Sequence, residues 1–349
     1  MRRFLLTLIG VTLLGSVVLG QLKVDVALVN VVATVTDDHG LYVPDLTADD
    51  FVLKEDGKTQ AISHLSYSDD MPVSMGITLD TSGSMERKIG TATGAVERFI
   101  RTVHPDDDIF LMTFSDRPVL RQDFTSDRDK LAAALRRVNV GGGTALYDAL
   151  DDSLRKVHKG QHDKKAILLI TDGVDTSSYA SLEETQLSVR ESELLVYCIG
   201  IAPSYSGTMT ERNPIPPNNG GGYPGGIGFP IPGIPGGIPL PIPGRRPMPF
   251  QRSQRRSGPV NPDSVDMDVL NSFADASGGK AWLLSGNWTE GRGNQVDDIL
   301  DEIAAELRSQ YSLGYYPTHP LQDGKWHQIE IVTKNPKYHV RARKEYFGK

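Results

Sequence analysis

The sequence predicts an α/β protein: a doubly wound, mostly parallel sheet with helices on both faces, inserted into a small β-rich, sandwich-like domain. Three observations predict it. From Pro72 onward, apolar runs of strand length at residues 73–79, 109–114, 166–170 and 194–199 alternate with helical segments, the pattern of a parallel sheet covered on both faces. Before Ile62 and after Gln310 the pattern is instead one of short β-prone runs. The stretch richest in Gly and Pro follows a strand and precedes a helical pattern, so it interrupts the α/β domain and does not end it.

The chain opens Met1-Arg2-Arg3 and continues in an apolar run from Phe4 to Leu19, interrupted by Thr7, Gly10, Thr12, Gly15 and Ser16. A basic start, an apolar stretch and small residues at Val18 and Gly20 predict a secretory signal over residues 1–20, cut before Gln21. The alternative is an uncleaved anchor, because the run is just short of the roughly 20 residues that span a bilayer. No cysteine follows it to carry a lipid, and no later run is apolar for long enough to cross a membrane. The expected location is secreted, periplasmic or cell-envelope, with no transmembrane domain after signal removal.

Residues 21–68 form the first half of the β-rich domain. Val24, Val26 and Leu28 alternate, residues 31–35 follow, and Phe51-Val52-Leu53 lead into Asp56-Gly57. An Asp-Gly pair between two such runs signals a hairpin, because its turn needs positive φ. Residues 69–310 form the α/β domain. Its first helix places Met85, Ile89, Val96, Phe99, Ile100 and Val103 on one side and stops at His104-Pro105, since proline disfavours helix before it. A second starts near Ser126, a natural N-cap, and buries Leu131, Leu135 and Val138. A third carries Met267, Leu270, Phe273 and Ala274. The last has Val296, Ile299, Leu300, Ile303, Ala304 and Leu307 in a continuous core-facing stripe.

Residues 203–262 are a Gly/Pro-rich insertion, expected to be disordered or polyproline-like. From 213 to 262, 25 of 50 residues are Gly or Pro and none is acidic, so the stretch cannot bury a core or hold a helix. Its Arg245, Arg246, Arg252, Arg255 and Arg256 could engage an anionic surface or a protease, or be incidental to a solvated loop. Residues 311–349 return to strands, at 311–316, 326–332 and 338–343, as the second half of the β-rich domain.

Hydrophobic residues make up 39% of the chain, enough for a proper core in a protein of this length. The formal charge of -7 becomes -9 without Arg2 and Arg3, an acidic balance with no footprint for nucleic acid. Cys198 is the single cysteine; it has no intramolecular disulfide partner and sits in an apolar run, where it reads as inert core.

The strand at 73–79 ends in Asp80-Thr81-Ser82-Gly83-Ser84, which puts a carboxylate and two hydroxyls just beyond a strand's carboxyl end, where open α/β sheets bind ligands. Alone, the pattern fits equally well a helix cap in which Ser82 or Ser84 accepts a backbone N–H. Two further pieces accompany it. Gly141-Gly142-Gly143-Thr144 carries a threonine on a flexible loop that opens a helix, and Thr171-Asp172-Gly173 directly follows the strand at 166–170. Together they resemble the metal-ion-dependent adhesion site of von Willebrand factor A domains, which share the doubly wound, Rossmann-like fold. Asp80, Ser82, Ser84, Thr144 and Asp172 fill its five positions.

The resemblance implies a metal-binding module. Ser82, Ser84 and Thr144 would bind directly and Asp80 and Asp172 partly through water. Such all-oxygen ligands suit a small hard dication, with Mg²⁺ the default and Mn²⁺ or Ca²⁺ as alternatives. With two charged ligands the ion stays electron-poor, and the implied partner is a protein offering a Glu or Asp carboxylate. The flanks resemble bacterial exported proteins related to von Willebrand factor A, through Leu46-Thr47, Asp50-Phe51, Glu55-Asp56-Gly57-Lys58 and Ile62. The resemblance continues in Tyr311-Ser312-Leu313-Gly314-Tyr315-Tyr316-Pro317, Asp323-Gly324-Lys325-Trp326 and residues 341–347. It departs at the Gly/Pro-rich loop and at Glu345, where glycine is expected.

The chain is read as a non-enzymatic, adhesion-like binding module; the alternative is a structural or assembly protein of the envelope whose metal only stabilises loops. Asp80-Thr81-Ser82 and Asp175-Thr176-Ser177 suggest a paired-aspartate protease only superficially, because that motif needs glycine in third place. No Gly-x-Ser-x-Gly, phosphate-binding Gly-Lys-Ser/Thr or His-Glu-x-x-His pattern is present. His39, His64, His104 and His319 fall in predicted turns and are expected to be solvent-exposed. Asn287-Trp288-Thr289 is a sequon that matters only in a glycosylating host.

Overall fold

The computed structural model describes residues 28–68, 71–172, 174–202, 265–284 and 295–348. The expected signal, the Gly/Pro-rich insertion and the sequon lie outside the described residues. The chain divides into two compact units, with boundaries after Tyr67 and after Ser309. In chain order the first unit supplies β1 (Val29–Thr36), β2 (Phe51–Glu55), β3 (Lys58–Gln60) and β4 (Ile62–Ser68). The second supplies β5 (Val73–Asp80), α1 (Ile89–Thr102), β6 (Asp108–Phe114), β7 (Pro118–Thr125), α2 (Arg128–Leu135), α3 (Leu146–Val157) and β8 (Lys164–Thr171). It continues with α4 (Leu182–Ser192), β9 (Leu195–Ile201), α5 (Met267–Ser277), β10 (Ala281–Leu284) and α6 (Gln295–Arg308). The chain then returns to the first unit in β11 (Gln310–Tyr315), β12 (Trp326–Thr333), β13 (His339–Ala342) and β14 (Glu345–Phe347).

In the first unit, strands from both ends of the chain interleave in two four-stranded sheets, β13-β1-β11-β4 and β14-β12-β2-β3. Asp56 and Gly57 adopt φ of 47° and 77°, the two positive angles that the hairpin between β2 and β3 requires. Period-two burial along β2 and β12 turns Phe51, Leu53, Ile329 and Ile331 inward. They share one core with Val31 and Val35 of β1 and with Tyr311, Leu313 and Tyr315 of β11.

The second unit is a six-stranded sheet in the order β10-β9-β8-β5-β6-β7. The first five strands pair in parallel and β7 pairs antiparallel with β6. Every residue of β5, β6 and β9 is buried, which is why these strands read as unbroken apolar runs. The half-exposed edge strand β7 carries Arg121, Gln122 and Asp123, so it lacks that signature. On one face Phe110, Met112, Ile167, Leu169, Val196 and Cys198 pack against Leu150 and Leu154 of α3, Val189 of α4 and Phe273 of α5. On the other, Ile170, Ile199 and Ile201 face Ala92 and Ala95 of α1 and Val296 and Leu300 of α6. Each fully buried large aliphatic or aromatic side chain stabilises the layer by roughly 1.5–3 kcal/mol.

The strand order makes the chain wind outward from β5 first through β6 and later, in the opposite direction, through β8. The crevice between the carboxyl ends of β5 and β8 is therefore the topological switch point of the sheet.

Several local expectations are corrected. Helix α1 starts at Ile89; Met85 is fully buried but sits in a preceding 3-10 turn, Gly83–Arg87, and Ile89 is only half-buried. The N-cap of α2 is Asp127, whose carboxylate accepts the N–H groups of Asp129 and Lys130, and not Ser126. Because α2 ends at Leu135, Val138 lies beyond it and is half-buried. His64 lies in strand β4, where it is exposed. Cys198 is fully buried and its thiol pKa is pushed up by burial, as expected of an inert core residue. Among the described residues no helix is long and apolar enough to cross a membrane.

Candidate metal centre

Asp80 is the last residue of β5, and Thr171, the last of β8, is followed by Asp172. At the switch point the two strands pass their carboxylates to one set of hydroxyls. Asp80 is wholly buried; its Oδ1 accepts the Ser82 N–H at 2.8 Å and its Oδ2 accepts the Thr171 hydroxyl at 2.6 Å. Ser82 Oγ lies 3.0 Å from Ser84 Oγ, and the Ser84 hydroxyl donates to Asp172 Oδ1 at 2.7 Å. Ser82 does occupy the N-cap position of the 3-10 turn, but its side chain makes no cap hydrogen bond. The hydroxyls of Asp-x-Ser-x-Ser are turned to each other and to Asp172 instead.

Thr144 is buried on the loop that opens α3. Two backbone bonds tie this loop to the one after β5: Gly141 N–H donates to Thr81 O at 2.9 Å and Gly83 N–H to Gly142 O at 3.1 Å. The glycine run also lets this loop pass close to Asp116 and Ser177. Gly142 has a φ of +86°, and a Cβ there would meet Asp116 Oδ2 at 2.4 Å; a Cβ on Gly143 would meet Ser177 Oγ at 2.2 Å. Asp80, Ser82, Ser84 and Asp172 thus form one hydrogen-bonded chain. Thr144 joins them through its tied loop and, among the described residues, not through a side-chain hydrogen bond to the other four.

The motif reading missed five residues that build this edge. Lys88 is the foremost: its ammonium is 2.6 Å from Asp172 Oδ2 and 3.4 Å from the Ile201 carbonyl. Its sequence signal is only its place shortly after Asp80-Thr81-Ser82-Gly83-Ser84. Thr171, a hydroxyl at the end of a buried strand, needs a partner and finds Asp80. Asp116 accepts the Gly143 N–H at 2.7 Å. Asp175 accepts the Leu146 N–H at 2.8 Å, and Ser178 Oγ accepts those of Tyr147 and Asp148 at 3.0 and 3.1 Å. Asp175 and Ser178 therefore cap the first turn of α3, where a carboxylate also favours the helix dipole.

Burial pushes the Asp80 carboxyl up to about 6, against the hydrogen bonds from Ser82 and Thr171 that pull it down, and the nearby Asp172 charge adds to the rise. A buried carboxylate supported by neutral donors gains from a nearby cation. The available donors are hydroxyl and carboxylate oxygens, the set preferred by a hard dication. The residues at this edge fit such an ion.

Residues 75–174 match the sequence profile of the von Willebrand factor type A domain. Over this span the chain is similar to von Willebrand factor type A domains. An uncharacterized protein of Synechocystis is 29% identical over 107 residues, covering 30% of this chain and 26% of the relative. The match thus spans about a quarter of that relative's length. Among solved structures, an aerotolerance-related membrane protein from Bacteroides fragilis is similar at 17% identity and a TM-score of 0.44, over 67% of this chain and 98% of that one. A von Willebrand factor type A protein from Catenulispora acidiphila is similar at 13% identity and a TM-score of 0.46, over 87% of this chain and 74% of that one. The matched span of the von Willebrand A domain includes Asp80, Ser82, Ser84, Thr144 and Asp172.

Proposed function

We propose that this von Willebrand A domain is an exported, non-catalytic module that binds a protein partner through a divalent cation. Ser82, Ser84 and Thr144 hold the ion directly, while Asp80 and Asp172 hold it partly through water. Mg²⁺ is the default occupant, with Mn²⁺ or Ca²⁺ as alternatives. Two charged ligands leave a bound dication electron-poor, and a Glu or Asp carboxylate of the partner completes its coordination. The observation that carries this reading is the hydrogen-bonded run from Asp80, which accepts the Ser82 N–H, through the Ser82 and Ser84 hydroxyls to Asp172, at the switch point of the sheet. The reading of residues 1–20 as a secretory signal supports a location outside the cytoplasm, in the envelope or secreted.

The alternative, an envelope protein whose metal only holds its loops together, is disfavoured by the backbone bonds that already join the Thr81–Gly83 and Gly141–Gly142 segments. Pull-down from the native envelope separates the two readings. Capture of a partner in Mg²⁺ that disappears with chelator and with Asp80→Ala supports bridging. Capture that persists in chelator, at a temperature where the fold is intact, overturns it.

A further inference from the structure

The first unit contains a second cluster of ligand-bearing side chains that shares no residue with the centre above. Asp56, His319 and His327 each offer one ligand atom, and these atoms all lie within 4.8 Å of one another. They come from three segments. Asp56, at the tip of the β2–β3 hairpin, is pinned to β12: its N–H donates to Gln328 O at 2.9 Å and its Oδ1 accepts the Gln328 N–H at 2.9 Å. His327 stands on the inward face of β12 in line with Ile329 and Ile331, and pairs across the sheet with Tyr346. His319 stacks on it, with ring centroids 3.8 Å apart and planes at 13°. His319 is thus half-buried within this cluster, and not the exposed turn residue expected from the sequence.

We propose that Asp56, His319 and His327 bind a divalent transition-metal cation of the Zn²⁺ class, with Asp323 orienting His327 from behind. Two imidazoles and a carboxylate suit zinc, and three protein ligands with a further open position are a common zinc arrangement. His327 is arranged as a metal-ligating histidine is. Its Nδ1 faces Asp56 Oδ2 at 2.8 Å, while its Nε2 is 3.2 Å from both Asp323 oxygens. A carboxylate on the outer nitrogen fixes the tautomer and strengthens the inner nitrogen as a ligand.

Charge points the same way. Glu55, 2% exposed, accepts the hydroxyls of Tyr315 and Tyr346 at 2.8 and 2.6 Å and lies 3.4 Å from His319 Nε2. Among the described residues, the ion-pair partners of Glu55, Asp56 and Asp323 are these two histidines alone. A dication at this point would match the carboxylates of Glu55, Asp56 and Asp323, which all face these two rings. Zinc bonds of about 2.0 Å imply ligand atoms about 3.3 Å apart. The Asp56 Oδ2–His327 Nδ1 pair, at 2.8 Å, stands already inside that spacing, and all three ligand atoms lie within 4.8 Å.

The test is Zn²⁺ titration calorimetry on the full chain carrying Asp80→Ala, so that the von Willebrand centre does not contribute, with Co²⁺ absorption as a coordination probe. The expected result is one bound equivalent, a tetrahedral Co²⁺ spectrum, and affinity lowered about 10–100-fold by Asp323→Asn and by at least as much in Asp56→Asn and His319→Gln. Asp56→Asn keeps a residue that tolerates the left-handed turn, so it decides the matter if His319→Gln does not fold. Absence of Zn²⁺ binding, or binding unchanged by Asp56→Asn, would leave a purely structural ion pair and overturn the proposal.

Discussion

The Lys88 ammonium lies 2.6 Å from Asp172 Oδ2, with the two side chains 10% and 0% exposed. This pair matches the charge of one carboxylate of the candidate centre from within the protein. A dication held by the same oxygens would feel the ammonium as a like charge, so the pair and the metal compete.

From that competition, Lys88→Met is predicted to have opposite effects on the metal-free and metal-bound forms. Leaving Asp172 without its partner costs about 3–5 kcal/mol in chelator. Mg²⁺ affinity should rise at least about tenfold, or about 1.4 kcal/mol. Thermal melts with chelator and with saturating Mg²⁺ measure both; an identical Mg²⁺-induced shift in variant and parent would refute the competition.

Thr144→Ala should separate metal binding from folding. The bonds that fix Thr144 in its loop are backbone ones: its carbonyl accepts the N–H groups of Thr176 and Ser177, and its own N–H donates to Thr176 Oγ1. Removing the hydroxyl therefore leaves the loop tied, with a predicted stability change within about 1 kcal/mol. Calorimetry should show Mg²⁺ affinity lowered at least about tenfold. Unchanged affinity would remove Thr144 from the ligand set.

Asp175→Ala should act mainly on the fold. Its carboxylate receives the Leu146 N–H and the Ser178 hydroxyl, so truncation uncaps α3 and frees the serine that serves the next two N–H groups. A loss of about 1–2 kcal/mol in urea unfolding is expected. A protease reading would instead require this aspartate for peptide cleavage, with little effect on stability.

How much of this was legible in the sequence depended on whether the signal was local. The buried strands β5, β6, β8 and β9 and the stripe on α6 announce themselves through continuous or periodic apolar residues. Edge strand β7 does not, because half of its surface is wet and its residues are polar. The five candidate ligands were read from local motifs, two at the carboxyl ends of β5 and β8 and one on the loop that opens α3. Lys88 was missed because its role exists only once β8 brings Asp172 beside the N-cap of α1. The Asp56–His319–His327 cluster was illegible for the same reason: Asp56 is separated from the two histidines by most of the chain and meets them only when β12 pairs with the hairpin.

Lys164 supplies a prediction about pH. It opens β8, and its amine donates to the Leu307 carbonyl in the last turn of α6. Burial pushes its pKa from 10.5 down to about 8, with Asp107 pulling it partly back. Below about pH 8 folded and unfolded chains both carry the proton, and the cost of burying the charge is fully present. Between about 8 and 10.5 the folded chain has released the proton while the unfolded chain keeps it, so stability rises with pH, by up to about 1.4 kcal/mol per pH unit. Above that window both are neutral and the slope vanishes. Lys164→Met has no proton to release. The unfolding free energy of the parent minus that of the variant should therefore climb between pH 8 and 10.5, whatever offset the lost Leu307 bond adds. A difference that stays flat across the window would show that the amine keeps its water in the folded protein.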